Sequence, residues 1–136
     1  MIKKEARLGC GAAIVHDGRL LLIRRLREPE ANCWGLPGGK VDWLEPLEHA
    51  VQREIHEELG IHLHGLKLLC VVDQIAPDRH EHWVAPVYLA TSFDGVPHIA
   101  EPHKHSSLAW FALDSLPEPL TTATRTAILK LHDHSL

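Results

Sequence analysis

Aromatic residues are scarce in this 136-residue chain: two Phe, one Tyr and four Trp, with a single Met. The shortage does not remove it from the globular class, because hydrophobic residues at 45% and charged residues at 24% are ordinary for a folded domain. Cysteine is also sparse. Cys10, Cys33 and Cys70 are odd in number and share no metal-ligand spacing, which excludes a disulfide-stapled miniprotein and predicts a reducing, cytoplasmic setting. No apolar run approaches the roughly 18 residues of a membrane span. Lys3, Lys4 and Arg7 do precede an uncharged stretch, Leu8 to Val15, but it is short for a signal peptide and His16-Asp17 ends it; it predicts a first core strand and no secretion. Positive charge is not in excess: 14 Lys and Arg against 18 Asp and Glu give a formal charge of −4, so no basic field recruits a nucleic acid polymer. Linkers, repeats and low-complexity tracts are missing too, and the length predicts one domain over residues 1–136. Histidine, by contrast, is abundant, with twelve residues.

Punctuation organises the rest. Leu8–Val15 and Arg19–Arg25 flank His16-Asp17-Gly18, and Asp-Gly between apolar runs predicts a tight hairpin. Trp34-Gly35-Leu36-Pro37-Gly38-Gly39 is too rich in Gly and Pro for a helix. Pro46 through Leu59 holds no breaker after its first residue. Pro46 suits a first helical position, and Gly60 stands where a helix C-terminus wants glycine. Leu66–Gln74 and Trp83–Phe93 predict strands around the polar loop Pro77–Glu81. Val96–Ser107 predicts a long connection carrying His98, Glu101, His103 and His105. A short strand over Leu108–Leu113 and a closing helix over Thr122–His132 complete an α/β or α+β sandwich.

The helix breaks its own pattern. At about 100° per residue, Leu47, Ala50, Val51, Ile55 and Leu59 form an apolar face. With Leu47 at zero, Glu54 falls at about 340°, Glu57 at about 280° and Glu58 at about 20°, overlapping that face. A solvated acidic face is the ordinary explanation for such a run. Two facts oppose it. Glu54 makes like-charged i,i+3 and i,i+4 pairs with Glu57 and Glu58, each unfavourable by about 0.2–0.5 kcal/mol. All three also crowd the helix C-terminus, where the macrodipole disfavours anions. Clustered carboxylates become favourable around a hard divalent cation, and oxygen ligands favour Mg²⁺ or Mn²⁺. Mg²⁺ commonly completes its shell with phosphate oxygens, so the pattern predicts a phosphorylated substrate.

Gly39, five residues, Glu45, seven residues, then Arg53-Glu54-Ile55-His56-Glu57-Glu58-Leu59-Gly60-Ile61 resembles the Nudix box at every fixed position. The preceding Trp34-Gly35-Leu36-Pro37-Gly38-Gly39-Lys40 and the flanking order of strands are also similar to that family, and the Val71–Phe93 hairpin followed by Glu101-Pro102-His103-Lys104 resembles its MutT-like triphosphate branch. The resemblance implies a Nudix-type α/β/α sandwich with a mixed β-sheet, and hydrolysis of a nucleoside diphosphate linked to another group. It implies that Glu54, Glu57 and Glu58 hold Mg²⁺ (or Mn²⁺), with the Gly39 carbonyl as a fourth ligand. Glu45 and Arg53 would form an ion pair that positions the helix. On one straight helix residues eight apart could not touch, so Glu45 must belong to the incoming loop. Leu44 departs from the family's small glycine before the box glutamate, which affects the shape of that loop.

The expected chemistry is metal-assisted phosphoryl hydrolysis, with Glu54 orienting or deprotonating water and Glu101 as the alternative base. For the rest of the substrate, Arg24 and Arg25 can contact phosphates, while Trp34 and His82 can stack on or touch a base; surface or core roles are the competing explanations. Trp83 and Trp110 are expected in the core. Two substrates remain open: a nucleoside or deoxynucleoside triphosphate cleaved to monophosphate and pyrophosphate, and ADP-ribose or another nucleotide sugar. A nucleotide-sensing module without catalysis is a third reading, disfavoured because no box carboxylate is lost. The resemblance also makes a homodimer a common assembly. Most histidines are expected at the surface, including His132 and His134, and none has the spacing of a zinc site.

Overall fold

The computed structural model describes residues 4–133; Lys3 and His134, named above, lie outside them. The chain runs β1 (Arg7–His16), β2 (Arg19–Arg25), β3 (Trp34–Gly35), β4 (Gly38–Lys40), α1 (Leu47–Leu59), β5 (His62–His64), β6 (Lys67–Ile75), β7 (His82–Ala90), β8 (Ser92–Asp94), β9 (His105–Ala112) and α2 (Thr122–Leu131). The main sheet has the order β3-β2-β1-β7-β6, with β4 added on β1 and β9 on β2. β1 and β7 are parallel and the other pairings antiparallel, so the sheet is mixed. β5 and β8 form a separate two-stranded ribbon.

Strand alternation assigns the two faces. Ala12 and Ile14 of β1, with Leu21 and Ile23 of β2, pack against Ala50, Val51, Ile55 and Leu59 of α1. Their neighbours Ala13, Val15, Leu20 and Leu22 face the opposite way, onto Ala127, Ile128 and Leu131 of α2. The result is the α/β/α sandwich that the sequence predicts. Asp17 and Gly18 both adopt positive φ, 52° and 72°, as a two-residue hairpin with strand-matched twist requires. No helix among the described residues is long and apolar enough to cross a membrane.

Three boundaries differ from expectation. Pro46 is the N-cap, extended at ψ 146°, and the helix begins at Leu47; its carbonyl accepts the first helical bond, from the Ala50 N–H at 3.0 Å. The Gly-rich segment contains β3 and β4, which hide from a reading based on side chains because glycine carries none. β9 starts at His105, three residues before the apolar run that marks it in the sequence, because its first residues are polar yet pair with the end of β2. The register slips between Arg24 and Arg25, where Ser107 and His105 are the respective partners. His105 is therefore a strand residue and not part of the preceding connection.

Candidate active site

Arg53 organises the acidic end of α1. Its Nε lies 2.8 Å from Glu45 Oε2 and its Nη2 2.9 Å from Glu45 Oε1, while Nη2 also donates to the Lys40 carbonyl at 2.9 Å. The same guanidinium donates through Nη1 to Glu54 Oε1 at 2.9 Å and approaches both Glu57 oxygens at 3.4 Å. Glu45 sits in the loop before α1, as their contact demands. The backbone N–H of Asp42 and the His49 ring complete its shell at 3.0 and 2.8 Å. These bonds, Arg53's foremost, hold the Glu45 carboxyl far below the usual carboxylate range. The reciprocal pairing raises the Arg53 guanidinium still further above its ordinary value.

The three box glutamates occupy different environments. Glu57 is exposed, Glu54 is half-buried and Glu58 is buried. Burial pushes the Glu54 carboxyl up; the Arg53 bond opposes this, and the charges of Glu58 and Glu57 add to it. Glu58 accepts the Gly38 N–H on Oε1 at 2.7 Å and meets His105 Nε2 with Oε2 at 3.1 Å. Two glycines make this approach possible. A Cβ on Gly38 would collide with the Cys10 carbonyl, and a Cβ on Gly39 would collide with the Glu54 carboxylate.

His105 is an exception to the surface placement expected of most histidines. Its side chain is only 5% exposed, and its Nδ1 is buried with no hydrogen-bond partner. Glu58, Glu101 and His105 bring ligand atoms within 4.8 Å of one another. Of the expected ligands only Glu58 belongs to that cluster; Glu54 and Glu57 lie beside it, linked through Arg53. Glu101, the alternative base, is partly buried and ion-paired to Lys104 Nζ at 3.3 Å. The donor set suits a hard dication: carboxylates from one helix end, packed against the Gly39 backbone, and one imidazole, which Mn²⁺ accepts more readily than Mg²⁺.

A cavity of about 310 Å³ opens beside the same loop, with Gly38, Gly39 and Lys40 on one side and Trp83 of β7 on another. Gly9, Gly11 and Ala85 also line it, small residues that leave the space open. Arg25 lines the cavity, with its Nε bonded to the Pro29 carbonyl at 3.0 Å. Arg24 does not line it, and its Nε donates to the Asn32 carbonyl at 3.2 Å. The aromatic expectations change places. Trp34 packs edge-on to Phe111 at 5.0 Å and does not line the cavity. His82 is bonded to Asp73 at 3.1 Å and is likewise absent from the lining. Trp83, expected in the core, lines the cavity instead, because adjacent strand residues point to opposite faces. The Arg7 guanidinium lies over its ring, 5.6 Å from the centroid. Choosing between His82 and Trp83 required the register of β7 on β1, which pairs Trp83 with Arg7.

Residues 6–131 match the NUDIX domain family model, and the chain belongs to the Nudix family. The fold agrees with that of a MutT NUDIX hydrolase from Burkholderia pseudomallei, 65% identical, at a TM-score of 0.92 over 93% of this chain and 98% of that one. The CTP pyrophosphohydrolase of Escherichia coli is 31% identical over 117 residues, covering 82% of this chain and 81% of the relative. The ADP-ribose pyrophosphatase of Methanocaldococcus jannaschii is 33% identical over 105 residues, 77% of this chain. The chain spans only 61% of that archaeal relative, and 30% of the human 8-oxo-dGDP phosphatase NUDT18.

Proposed function

We propose that this chain is a divalent-metal-dependent nucleotide pyrophosphohydrolase, acting as a single domain on nucleoside or deoxynucleoside triphosphates to give monophosphate and pyrophosphate. The observation that carries the reading is the Arg53 hub, which gathers Glu45, Glu54 and Glu57 beside the Gly38–Lys40 strand that also borders the cavity. A substrate in the cavity would thus have its phosphates next to the carboxylates. The similarly sized CTP pyrophosphohydrolase supports a triphosphate. The archaeal ADP-ribose pyrophosphatase supports a nucleotide diphosphate-sugar as the second reading.

Glu54, Glu57, Glu58 and the Gly39 carbonyl would hold Mg²⁺ or Mn²⁺, with Glu101 and His105 in reach of Glu58. Bound there, such an ion supplies neutralisation of phosphate charge and a more acidic water. The chain's own groups do the rest. Glu54, with an elevated proton affinity and one oxygen pinned by Arg53, orients the attacking water and takes its proton. Arg53 fixes the carboxylate's rotamer through Glu45 and Lys40, so the base is held before substrate arrives. Lys40, exposed at the cavity rim, and Arg25 supply positive charge for the phosphates. Trp83 offers an aromatic face to the base.

The test is a Mg²⁺- and Mn²⁺-supplemented panel of NTPs, dNTPs, ADP-ribose and nucleotide sugars. Pyrophosphate release identifies the triphosphate reading, and two monophosphate products identify the other. Glu54→Gln should lower turnover by about 10²–10⁴-fold, the scale of general-base catalysis, at an unchanged fold. Near-normal turnover in that variant moves the base to Glu101, and no turnover by the wild type on any substrate leaves a nucleotide-sensing module.

A further inference from the structure

Three distant parts of the chain meet in a hydrogen-bonded relay at one wall of the cavity. Glu30, in the loop between β2 and β3, accepts from Gln74 Nε2 on Oε1 at 2.9 Å. Its other oxygen accepts the Thr122 backbone N–H at 2.8 Å and the Thr122 hydroxyl at 3.3 Å. Glu30 thereby receives the first turn of α2 while holding a side chain of β6. Its backbone is in the left-handed region, φ 59°, which non-glycine residues seldom adopt. That loop is closed on itself by Arg25 N–H to the Cys33 carbonyl at 2.9 Å and Asn32 N–H to the Arg25 carbonyl at 2.7 Å. Neither the box nor the proposed hydrolytic step uses these residues, yet Glu30 and Gln74 both line the cavity.

The relay settles the orientation of an amide. A carboxylate only accepts hydrogen bonds, and Glu30 already draws two donors from Thr122. Gln74 must therefore turn its nitrogen toward Glu30, which turns its carbonyl oxygen away. Gln74 is also the cross-strand partner of Trp83 in the β6–β7 register. A planar base lying against the Trp83 indole would bring its edge to the Gln74 amide.

We propose that Gln74, oriented by Glu30, is a specificity-determining residue whose amide oxygen accepts a hydrogen bond from an exocyclic amino group of the nucleobase. The substrate class is then the amino-bearing nucleotides, cytosine over uracil and adenine over hypoxanthine. In the keto partner of each pair the same position carries a carbonyl oxygen, which faces another acceptor and finds no donor. This rests on the nucleotide-hydrolase reading above and adds the base to it. A part-buried amide fixed at its nitrogen cannot flip to serve the keto base without breaking the Glu30 bond, so the fold biases the preference. Glu30 acts through Gln74 and is a positioning residue.

The experiment compares kcat/KM for CTP against UTP and for ATP against ITP. The wild type should favour the amino member of each pair by about tenfold or more, the worth of one hydrogen bond made or lost in a desolvated site. Gln74→Leu should bring both ratios to within about twofold of unity, chiefly by lowering kcat/KM for the amino nucleotides. Glu30→Gln frees the amide to flip and should reduce the ratios in the same way; a circular dichroism melt of each variant confirms the fold. Calorimetric binding of the same four nucleotides, with Ca²⁺ replacing the activating metal, reads the base preference without turnover. Ratios unchanged in Gln74→Leu, or a wild type that favours the keto partners, overturn the assignment. Base-selective binding that depends on Gln74 without any hydrolysis would instead overturn only the catalytic reading. Absence of both binding and turnover overturns the two together.

Discussion

Arg53 grips Glu45, eight residues back in the chain, through both terminal atoms of the carboxylate, at 2.8 and 2.9 Å. The fork also reaches the Lys40 carbonyl and Glu54, so one planar cation joins the Gly-rich strand, the loop before α1 and the proposed base. Lysine has no such fork. Arg53→Lys should keep the fold and lower kcat by about 10²-fold, the penalty expected when a catalytic group is displaced by about an ångström. Steady-state kinetics with a melting curve on the same sample separates this from unfolding.

Glu45 gives that hub a pH signature. Its folded-state pKa lies far below the ordinary carboxylate value, chiefly through the Arg53 bonds and then the Asp42 N–H. A depressed pKa means that the unfolded state binds the proton first as pH falls. The stabilisation is thus complete above about pH 5 and is lost progressively below about pH 4, near the unfolded pKa. Glu45→Gln should be less stable than wild type at pH 7, and the gap should narrow steadily from pH 4.5 toward pH 2. Urea titrations across that range measure it; a gap that is constant with pH would show that the ion pair is not its source.

His105 and Glu58 form a buried pair, their side chains 5% and 6% exposed. Removing one member leaves a buried polar group short of a partner, which typically costs about 1–3 kcal/mol. His105→Phe keeps the ring volume and removes both nitrogens, leaving Glu58 with the Gly38 N–H alone. The loss in urea stability should be about 1–3 kcal/mol. Mn²⁺ affinity, read by the loss of the free-ion paramagnetic signal, should weaken in the same variant because the Glu58 carboxylate is no longer held in place.

What the sequence made legible follows local rules, and what it hid depended on register. Asp17-Gly18 specified a hairpin because two positive-φ residues match strand twist. Three glutamates at spacings of three and one, overlapping the apolar face of an amphipathic helix, specified a charged site. Gly60 ended that helix with φ 69°, as a left-handed cap should. His105 escaped because β9 opens with polar residues, and its partner Glu58 lies far away in sequence. Trp83 and His82 differ by one position, and only the pairing of β7 with β1 and β6 says which faces the cavity. The Glu30–Gln74–Thr122 relay spans separations of 44 and 92 residues, beyond any local pattern.

Leu44 occupies the left-handed region at φ 65° and is 84% exposed, with Trp43 beside it 90% exposed. Glycine adopts this left-handed backbone freely, whereas in leucine it carries strain. A left-handed non-glycine residue costs about 1–2 kcal/mol, whereas glycine adds about 0.5–1 kcal/mol of unfolded-state entropy. With no packing to lose, Leu44→Gly should gain about 0.5 kcal/mol, or about 1–3 °C in melting temperature. A lower melting temperature would mean that Leu44 packs on something in solution, such as a second subunit.

Cys10 should make the protein lose stability in alkali. Its thiol lies under Gly39, 6% exposed, and burial pushes its pKa up from 9.0 to about 11, with the Gly39 backbone opposing and the Glu54 charge adding. Here the sign is reversed from that of Glu45: the unfolded thiol ionises first as pH rises, so the unfolded state binds fewer protons. Stability is unaffected below about pH 8.5, falls between pH 9 and pH 11, and levels once the folded thiol also ionises. Two pKa units correspond to about 2.7 kcal/mol as an upper bound. Cys70 and Tyr88 are raised by burial too and slope the same way, so the informative quantity is the difference between wild type and Cys10→Ala. That difference should be flat to about pH 8.5 and shrink to its limit by about pH 11, at which point the mutant is the less alkali-sensitive protein. Iodoacetamide should leave Cys10 unmodified at pH 8 in the native state, since the neutral buried thiol is a poor nucleophile, and label it on addition of urea.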